Sequence, residues 1–233
     1  MRSLSVHMMG RMAYREAWTL QQALAERRKA GQIPDTLLLL EHEPVVTLGR
    51  DGSRKSLVAP PETFAQRGVE VVESDRGGDA TFHGPGQLIA YPIIDLKPDR
   101  KDIRRYVQTL ENIMIQVLDN YDIVAGRLPG EPGVWCFGPD RKIGAIGARV
   151  SRWVTHHGFA LNVTTDLSFF ELIVPCGIAD KGVTSLQQEL ARRVSMVEVM
   201  ECVVHAFAKH FDCAPTVQHG APTLGRVDEV TTR

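Results

Sequence analysis

Two strand-like runs lie almost back to back in the second half of the chain, and they constrain its fold more than any other feature. KIGAIGARV begins at Lys142, WVTHHGFALNV begins at Trp153, and only Ser151 and Arg152 separate them. A connection this short joins antiparallel strands, because a parallel crossover needs a dozen or more residues. The sequence therefore predicts a β-hairpin at this point.

The other periodic segments do not alternate strand by helix along the chain. Helical spacing of apolar residues predicts helices from Tyr14 to Ala30, from Pro98 to Leu118 and from Met196 to Phe211. Short apolar or β-branched runs predict strands at TLLLLEH, VVTLGR, VEVVE and LIAYPIIDL, and the stretch 126–141 predicts a loop around a short strand, VWCF. We expect an α+β fold in which helices flank a mixed or mainly antiparallel sheet.

Length and composition favour one folded unit. The chain has 233 residues, of which 43% are hydrophobic and 24% charged, so we expect a single domain over 1–233. A net charge of −1 gives no reason to expect nucleic-acid or membrane partners. The N-terminus has no apolar core typical of a signal peptide, and no run approaches the ~20 apolar residues of a membrane helix, so a cytoplasmic location is expected. The polar residues 212–233 predict a loosely ordered tail.

A glycine-rich segment is the strongest functional signal. Residues 76–87, RGGDATFHGPGQ, hold four glycines, an arginine and a histidine. Glycine permits positive φ and the close approach of a ligand to the main chain. We predict a substrate-lined wall in which backbone N–H groups face a ligand and His83 supplies a polar group. The alternative is a pair of ordinary turns around a short strand.

Cys176 is the candidate nucleophile. It stands between Pro175 and Gly177, at a bend that would expose the thiol beside backbone N–H groups. A thiol of pKa ~8.5 needs a nearby cation or base to react at neutral pH. Lys142 is one candidate, because a lysine facing an apolar pocket loses solvation and its pKa falls, and Gly144 would leave room for a ligand beside it. The alternatives are a cysteine buried at a turn and a solvated lysine at a strand end.

Histidines supply a second candidate base but no predicted metal site. His83 is the other candidate base. His156 and His157 are neighbours on one predicted strand, so their side chains should point to opposite faces, and no third ligand is evident. We therefore expect no metal.

The remaining cysteines form no CxxC motif and are predicted to be structural free thiols: Cys136, Cys202 and Cys213.

Basic residues are concentrated where the second helix is predicted to begin. The segment LKPDRKDIRRYV carries Lys97, Arg100, Lys101, Arg104 and Arg105. Positive charge lies here at the unfavourable end of the helix dipole. Two explanations are a docking surface for an acidic partner and a solvated helix face interleaved with aspartates.

Taken together, these motifs resemble the octanoyltransferases of lipoic acid biosynthesis, the lipoate-protein ligase B family. The resemblance rests on segments that cover most of the chain: TLLLLEHEPVVTLGR, DRGGDATFHGPGQLIAYPIIDL, Gly133–Trp135, KIGAIGARVSRWVTHHGFALNV and IVPCGIADKGVTSL. One departure is Gly144, where the family more often has alanine. The departure implies a slight change in pocket size or strand stiffness.

The resemblance implies the α+β catalytic fold of biotin and lipoate ligases and an acyltransferase that uses no cofactor. An octanoyl group would pass from acyl carrier protein, through a thioester on Cys176 with Lys142 as its partner, to a lipoyl-domain lysine, as the first step of endogenous protein lipoylation. The acceptors would be 2-oxoacid dehydrogenases or the glycine cleavage H protein. The implied substrate-binding residues are Arg76, Gly77, Gly78, Asp79, Ala80, Thr81, Phe82, His83, Ala145, Ile146, Gly147, Gly158, Phe159 and Ala160.

Three other functions stay open on the sequence. An ATP-dependent lipoate or biotin-type ligase of the same fold would need no nucleophilic cysteine, and its paired arginines before the glycines are missing, since Asp75 precedes Arg76. A thioesterase-like hydrolase would release the acyl group to water. A non-catalytic module that binds acyl carrier protein would not require both Cys176 and Lys142.

Overall fold

The computed structural model describes residues 2–174 and 181–223, which form two β-sheets covered by helices. The helices are α1 (Tyr14–Lys29), α2 (Pro61–Gln66), α3 (Ile103–Asp119), α4 (Leu186–Leu190) and α5 (Met196–Phe211), with short 3-10 turns at Arg54–Ser56 and Leu167–Leu172. The strands are β1 (Arg2–Met12), β2 (Asp35–His42), β3 (Val45–Leu48), β4 (Glu70–Glu73), β5 (Ala80–His83), β6 (Gln87–Ile93), β7 (Ala125–Leu128), β8 (Glu131–Cys136), β9 (Arg141–Ser151), β10 (Val154–Asn162), β11 (Gly182–Val183) and β12 (Cys213–His219).

The larger sheet is mixed but mainly antiparallel. In the described residues its strand order is β12-β1-β2-β6-β10-β9-β8-β7, with β11 paired to β9. β1 runs parallel to β12 and β2, and β11 parallel to β9, whereas the other neighbours are antiparallel. The smaller sheet has the order β4-β3-β5. The predicted α+β class is confirmed.

The middle of β2 is apolar without interruption because helices cover both faces of the larger sheet there. Along β2, Leu37 and Leu39 face the core built with α3 and α5, while Leu38 and Leu40 face the core built with α1. All four side chains are fully buried. A strand buried on both sides has no polar face, which explains the uninterrupted run LLLL.

The predicted hairpin is confirmed, with a one-residue shift of its turn. Ser151 pairs with Val154, so the two-residue loop is Arg152 and Trp153. Both have positive φ, 51° and 70°, as a type I′ turn requires. The turn matches the twist of the flanking strands, so β9 and β10 continue as one long antiparallel ribbon.

Helix α3 begins later than the sequence pattern predicted. Asp102 is its N-cap, and its side chain accepts a hydrogen bond of 2.9 Å from the Arg105 N–H. The prediction of a start at Pro98 was therefore wrong. Of the basic residues in this segment, only Arg104 and Arg105 lie on the helix, and both are exposed.

Two segments form β-structure that their side-chain patterns did not predict. The predicted loop at 126–141 is largely the β7–β8 hairpin. The predicted loose tail is wrong for Cys213–His219, which form β12 parallel to β1. After Cys213 every side chain of β12 is exposed, so the main chain holds this edge strand and no apolar alternation marks it. Residues 224–233 lie outside the described part of the chain.

Among the described helices, none combines the length and the hydropathy needed to cross a bilayer.

Candidate active site

A cavity of about 610 Å³ lies between the β9–β10 ribbon and the glycine-rich segment that leads into the smaller sheet. This volume is in the range of small-molecule binding sites. Lys142 lines the cavity. So do all the predicted substrate-binding residues except Phe82: Arg76, Gly77, Gly78, Asp79, Ala80, Thr81 and His83 on one wall, and Ala145, Ile146, Gly147, Gly158, Phe159 and Ala160 on the other.

Phe82 points away from this cavity. Its ring stacks on Phe169 at a centroid distance of 4.6 Å and belongs to the core of the smaller sheet. β5 has the side-chain alternation of any strand, so Thr81 and His83 face the cavity while Phe82 does not. Phe82 supports the wall from behind.

Arg76 holds the glycine-rich wall in shape. Its side chain is buried and donates to the Thr47 carbonyl at 2.6 Å, the Asp79 carbonyl at 2.6 Å and the Gly77 carbonyl at 2.9 Å. A fourth bond goes to the Thr47 hydroxyl at 2.9 Å. Three acceptors are backbone carbonyls, so the guanidinium ties the loop to β3 as an internal clamp.

The N–H groups of Gly77 and Gly78 are also used internally. Gly77 donates to the Ala148 carbonyl at 3.4 Å, and Gly78 donates to the Asp51 carboxylate at 3.2 Å. The prediction that the backbone N–H groups of this segment face a ligand is wrong for these two. Both positions favour glycine for a local reason: a Cβ added to Gly77 would lie 3.1 Å from the Ala148 carbonyl oxygen, and Gly78 has a φ of 83°.

Glycines on the opposite wall make room for protein atoms as well. A Cβ on Gly158 would lie 2.2 Å from the Ala90 carbonyl oxygen, and one on Gly147 would lie 2.9 Å from Arg76 Cδ. A Cβ on Gly144 would lie 2.5 Å from Met114 Sδ. The expectation that Gly144 leaves space for a ligand was wrong, because Met114 of α3 occupies that space.

Lys142 lies near the start of β9, beside an aromatic ring. Its Nζ is 4.7 Å from the centroid of the buried Trp135 ring, a cation–π distance. Its main chain pairs with Val183 of β11. Lys181 Nζ lies 5.3 Å from the same ring and 3.1 Å from Glu131 Oε1.

Cys176, the predicted nucleophile, lies outside the described residues. Described residues on either side of it, Phe170 and Val183, both line the cavity. The three other cysteines are free. Burial raises the pKa of Cys136 to about 12 and that of Cys213 to about 11, so neither is a thiolate at neutral pH. Cys202 is half-buried against the core.

Asp75, His156 and His157 form a cluster that the sequence did not predict. His157 has a φ of 53°, which breaks the strand alternation, and both rings approach the Asp75 carboxylate. The expectation that these histidines point to opposite faces, with no third ligand, was wrong. The three ligand atoms lie within 4.8 Å of one another. Arg149 also donates a hydrogen bond to the Asp75 carboxylate, so the cluster is a network of one acidic and three basic side chains.

The protonation of the cluster follows from these contacts. Burial would raise the pKa of Asp75, but the hydrogen bond from His157 and the charges of His157 and Arg149 outweigh it and lower the pKa to about 2. Burial, more than any other cause, lowers the pKa of His156 to about 4, and it also lowers the pKa of His157. His157 therefore donates through Nε2–H to Asp75, at 2.7 Å, as a neutral ring.

A second set of buried polar residues was also missed; it consists of His42 and of Tyr14 and Tyr91, which line the cavity. His42 receives a 2.7 Å hydrogen bond from the Tyr91 hydroxyl and donates through Nδ1 to the Met12 carbonyl at 3.0 Å. Tyr14 stacks on His83. His42 and Tyr91 could have been found from the sequence, because each is a polar residue inside an otherwise apolar strand, TLLLLEH and LIAYPIIDL.

Comparison with a protein family and with solved structures defines the general class of this protein. Residues 13–208 match the lipoyl protein ligase A/B catalytic domain. The fold is similar to lipoate-protein ligase A bound with ATP, with a TM-score of 0.79 at 16% identity over 94% of this chain and 89% of that one. It is also similar to a biotin protein ligase from Aquifex aeolicus in complex with biotin and ATP, with a TM-score of 0.55 at 14% identity over 91% and 71% of the two chains. The fold is that of lipoate and biotin ligases, as the resemblance implied.

Curated relatives then give the family. An octanoyltransferase of Chloroflexus aggregans is 50% identical over 216 residues, covering 92% of this chain and 98% of the relative. An octanoyltransferase of Myxococcus xanthus is 50% identical over 216 residues, covering 91% of this chain and 60% of that longer relative. The chain belongs to the octanoyltransferases, a family of transferase enzymes.

Proposed function

We propose that this protein moves an octanoyl group from acyl carrier protein to a lysine of a lipoyl domain, through a thioester on Cys176. The observation that carries the proposal is the cavity that brings Lys142 together with both predicted substrate-binding walls. Membership of the octanoyltransferase family supports the type of reaction, and the residues around the cavity support the mechanism proposed for it.

In the proposed first step, Lys142 takes the thiol proton of Cys176 or stabilises its thiolate, and the thiolate attacks the carrier thioester. The carbon–sulfur bond to Cys176 forms and backbone N–H groups such as that of Gly177 stabilise the oxyanion. The bond to the carrier sulfur then breaks as the Lys142 ammonium gives this sulfur a proton, so the carrier leaves as a thiol and Lys142 is again a neutral amine. In the second step the lipoyl-domain ammonium gives one proton to Lys142, the resulting amine attacks the acyl-enzyme, and its nitrogen loses a second proton to another base as the amide forms. Cys176 then leaves as the thiolate and is ready for another cycle.

The cavity suits a flexible apolar chain with one reactive end. Ile89, Ile146 and Phe159 contribute apolar walls, while Lys142 supplies an amine. Burial of each additional CH₂ contributes about 0.8 kcal/mol, so two fewer carbons should weaken binding roughly 15-fold. The size of the cavity and these apolar walls suit a chain of medium length.

Docking of the acidic carrier is proposed on the first turn of α3. Arg104 and Arg105 are exposed there, and Val107, three residues after Arg104 on the same helix face, lines the cavity. Lys97, Arg100 and Lys101 lie before the helix; Arg100 donates to the Phe211 carbonyl at 2.5 Å and so has a structural role. Reversing Arg104 and Arg105 to Glu should weaken carrier binding at least 10-fold at low salt, whereas the matched reversal of Arg192 and Arg193 should not. Unchanged carrier affinity would rule out this surface.

The structure favours acyl transfer over the ATP-dependent ligase alternative. In the described residues, the arginine of the glycine-rich segment, Arg76, is committed to backbone carbonyls. The residue before it, Asp75, carries negative charge next to that segment. A site for the phosphates of ATP would need positive charge or unused N–H groups here. The hydrolase alternative is separated by the acceptor dependence of acyl release.

The test is a two-stage assay with purified protein, octanoyl-loaded carrier and a lipoyl domain, with and without ATP. Octanoyl transfer should require both proteins and no nucleotide, and should be lost in Cys176→Ser and Lys142→Ala. Cys202→Ser is the matched control and should retain activity. Transfer that needs ATP and free octanoate would identify a ligase, and acyl release that ignores the lipoyl domain would identify a hydrolase.

A further inference from the structure

A chain of side-chain amides fixes the orientation of His83 at the cavity wall. His83 Nδ1 lies 2.8 Å from Gln87 Oε1, Gln87 Nε2 lies 2.9 Å from Asn162 Oδ1, and Asn162 Nδ2 lies 3.0 Å from the Thr184 carbonyl. Gln87 Nε2 also lies 3.1 Å from the Phe82 carbonyl. His83, Gln87, Asn162 and Thr184 are all buried, so water does not compete with these bonds.

The two backbone carbonyls determine every donor and acceptor in this chain. A carbonyl can only accept, so Asn162 must present its NH₂ group to Thr184 and its oxygen to Gln87. Gln87 must then present its NH₂ group to Phe82 and Asn162, which leaves its oxygen for the imidazole. His83 Nδ1 therefore carries the hydrogen, and in the neutral ring the lone pair belongs to Nε2.

The lone pair on Nε2 is not used by the protein around it. Within residues 2–174 and 181–223, the His83 ring makes one hydrogen bond, from Nδ1 to Gln87 Oε1, and none through Nε2. His83 lines the same cavity as Lys142. The ring is held on its face by Tyr14, stacked at a centroid distance of 6.1 Å. A fixed, neutral base with an unused lone pair is thus built into the cavity wall.

We propose that His83 Nε2 is the general base of the second half-reaction, with Gln87 and Asn162 as its positioning residues. The role rests on the proposed function. When the neutral acceptor amine attacks the thioester carbon, its nitrogen gains a positive charge and must lose one proton. His83 Nε2 takes that proton as the C–N bond forms. The C–S bond breaks, Cys176 leaves as a thiolate, and the imidazolium later gives its proton to solvent.

This role divides two protons between two groups. Lys142 accepts the proton that converts the acceptor ammonium into an amine, and His83 accepts the one lost during attack. Burial lowers the pKa of His83 well below its usual 6.5, and the charges of His42, Arg76 and His157 lower it further, against the hydrogen bond from Gln87. Tyr14 faces the ring as a neutral phenol. His83 is therefore a free base at neutral pH, and an acid limb of the transfer rate should lie below pH 6.5.

The test measures the two half-reactions separately in His83→Gln and Gln87→Leu. The acyl-enzyme is formed from octanoyl-carrier, isolated, and then mixed with either a lipoyl domain or hydroxylamine. Hydroxylamine is unprotonated at neutral pH and loses its proton readily to water, so it needs little base catalysis. Matched controls are His205→Gln and Gln22→Leu, which change the same residue types at exposed sites.

We expect acyl-enzyme formation within about threefold of wild type, transfer to the lipoyl domain slowed roughly 10²- to 10⁴-fold in His83→Gln, and near-normal release to hydroxylamine. Gln87→Leu should slow transfer at least 10-fold, and Gln87→Glu, which still accepts from Nδ1–H, should recover part of it. If His83→Gln does not fold, Gln87→Leu gives the same readout. Equal slowing with both nucleophiles, or no slowing, would overturn the role of His83. A wild type that forms no acyl-enzyme would overturn the proposed function and this role with it.

Discussion

Replacement of Arg76 by methionine tests whether this side chain is a clamp for the glycine-rich wall or a direct ligand for substrate. Methionine keeps the length and apolar stem of the side chain but removes all of its donors. In the structure, those donors reach the carbonyls of Thr47, Gly77 and Asp79 and the hydroxyl of Thr47. The variant therefore removes a donor from three backbone carbonyls, of which that of Asp79 keeps a hydrogen bond of 3.1 Å from the Gly49 N–H.

The size of the effect follows from those acceptors. Each buried polar group left without a partner costs about 1–3 kcal/mol. The cavity beside Gly77 lets water replace part of the lost bonding, so for the Thr47 and Gly77 carbonyls together we expect the free energy of unfolding to fall by about 2–4 kcal/mol. A domain of this kind has roughly 5–15 kcal/mol of stability, so Arg76→Met should fold but be marginal.

Urea denaturation followed by tryptophan fluorescence measures the change directly, and amide hydrogen exchange locates it. Protection should fall most at residues 77–80 and along β3. Arg76→Lys is the control, since its three donors can keep part of the network. A loss below about 1 kcal/mol together with a raised KM for carrier would refute the clamp and indicate contact with substrate.

Two further predictions concern packing and pH. Gly144→Ala should lower the free energy of unfolding by about 1–3 kcal/mol, because its Cβ would lie 2.5 Å from Met114 Sδ. In a double-mutant cycle, Met114→Ala should relieve part of this loss, with a coupling energy on the order of 1 kcal/mol. Additive effects would contradict the contact. Burial lowers the pKa of His42 to about 4, so between pH 6.5 and 4 the unfolded chain binds a proton that the folded protein does not. Stability should therefore fall as the pH falls through this window, by on the order of 3 kcal/mol from His42, in the same direction as for His83 and His156. A free energy of unfolding that stays level across this window in chemical denaturation would contradict the assigned burial.

Sequence patterns were sufficient where side chains decide the structure. The run LLLL predicted a strand buried on both faces, and the short step after Val150 predicted the hairpin. Each is a local pattern with one physical explanation. The cavity was predicted through its motif residues, because Gly77, Gly78 and His83 lie within one short segment.

Patterns failed where the main chain or a distant contact decides. β12 is held by backbone bonds at a sheet edge, so its exposed side chains carry no signal. His157 departs from strand alternation because its φ is positive, and its residue type does not predict a positive φ. Gly144 was assigned to the ligand because nothing in the sequence shows that Met114, thirty residues away, fills the space.

The most direct test of the proposed reaction is an intact-mass spectrum of the protein after brief incubation with octanoyl-loaded acyl carrier protein. Wild type should gain one octanoyl group as a hydroxylamine-labile adduct and lose it when a lipoyl domain is added. Cys176→Ser should gain nothing, and Cys202→Ser should behave as wild type. No adduct on wild type, together with ATP-dependent activation of free octanoate, would contradict the thioester mechanism and identify the ligase reaction in its place.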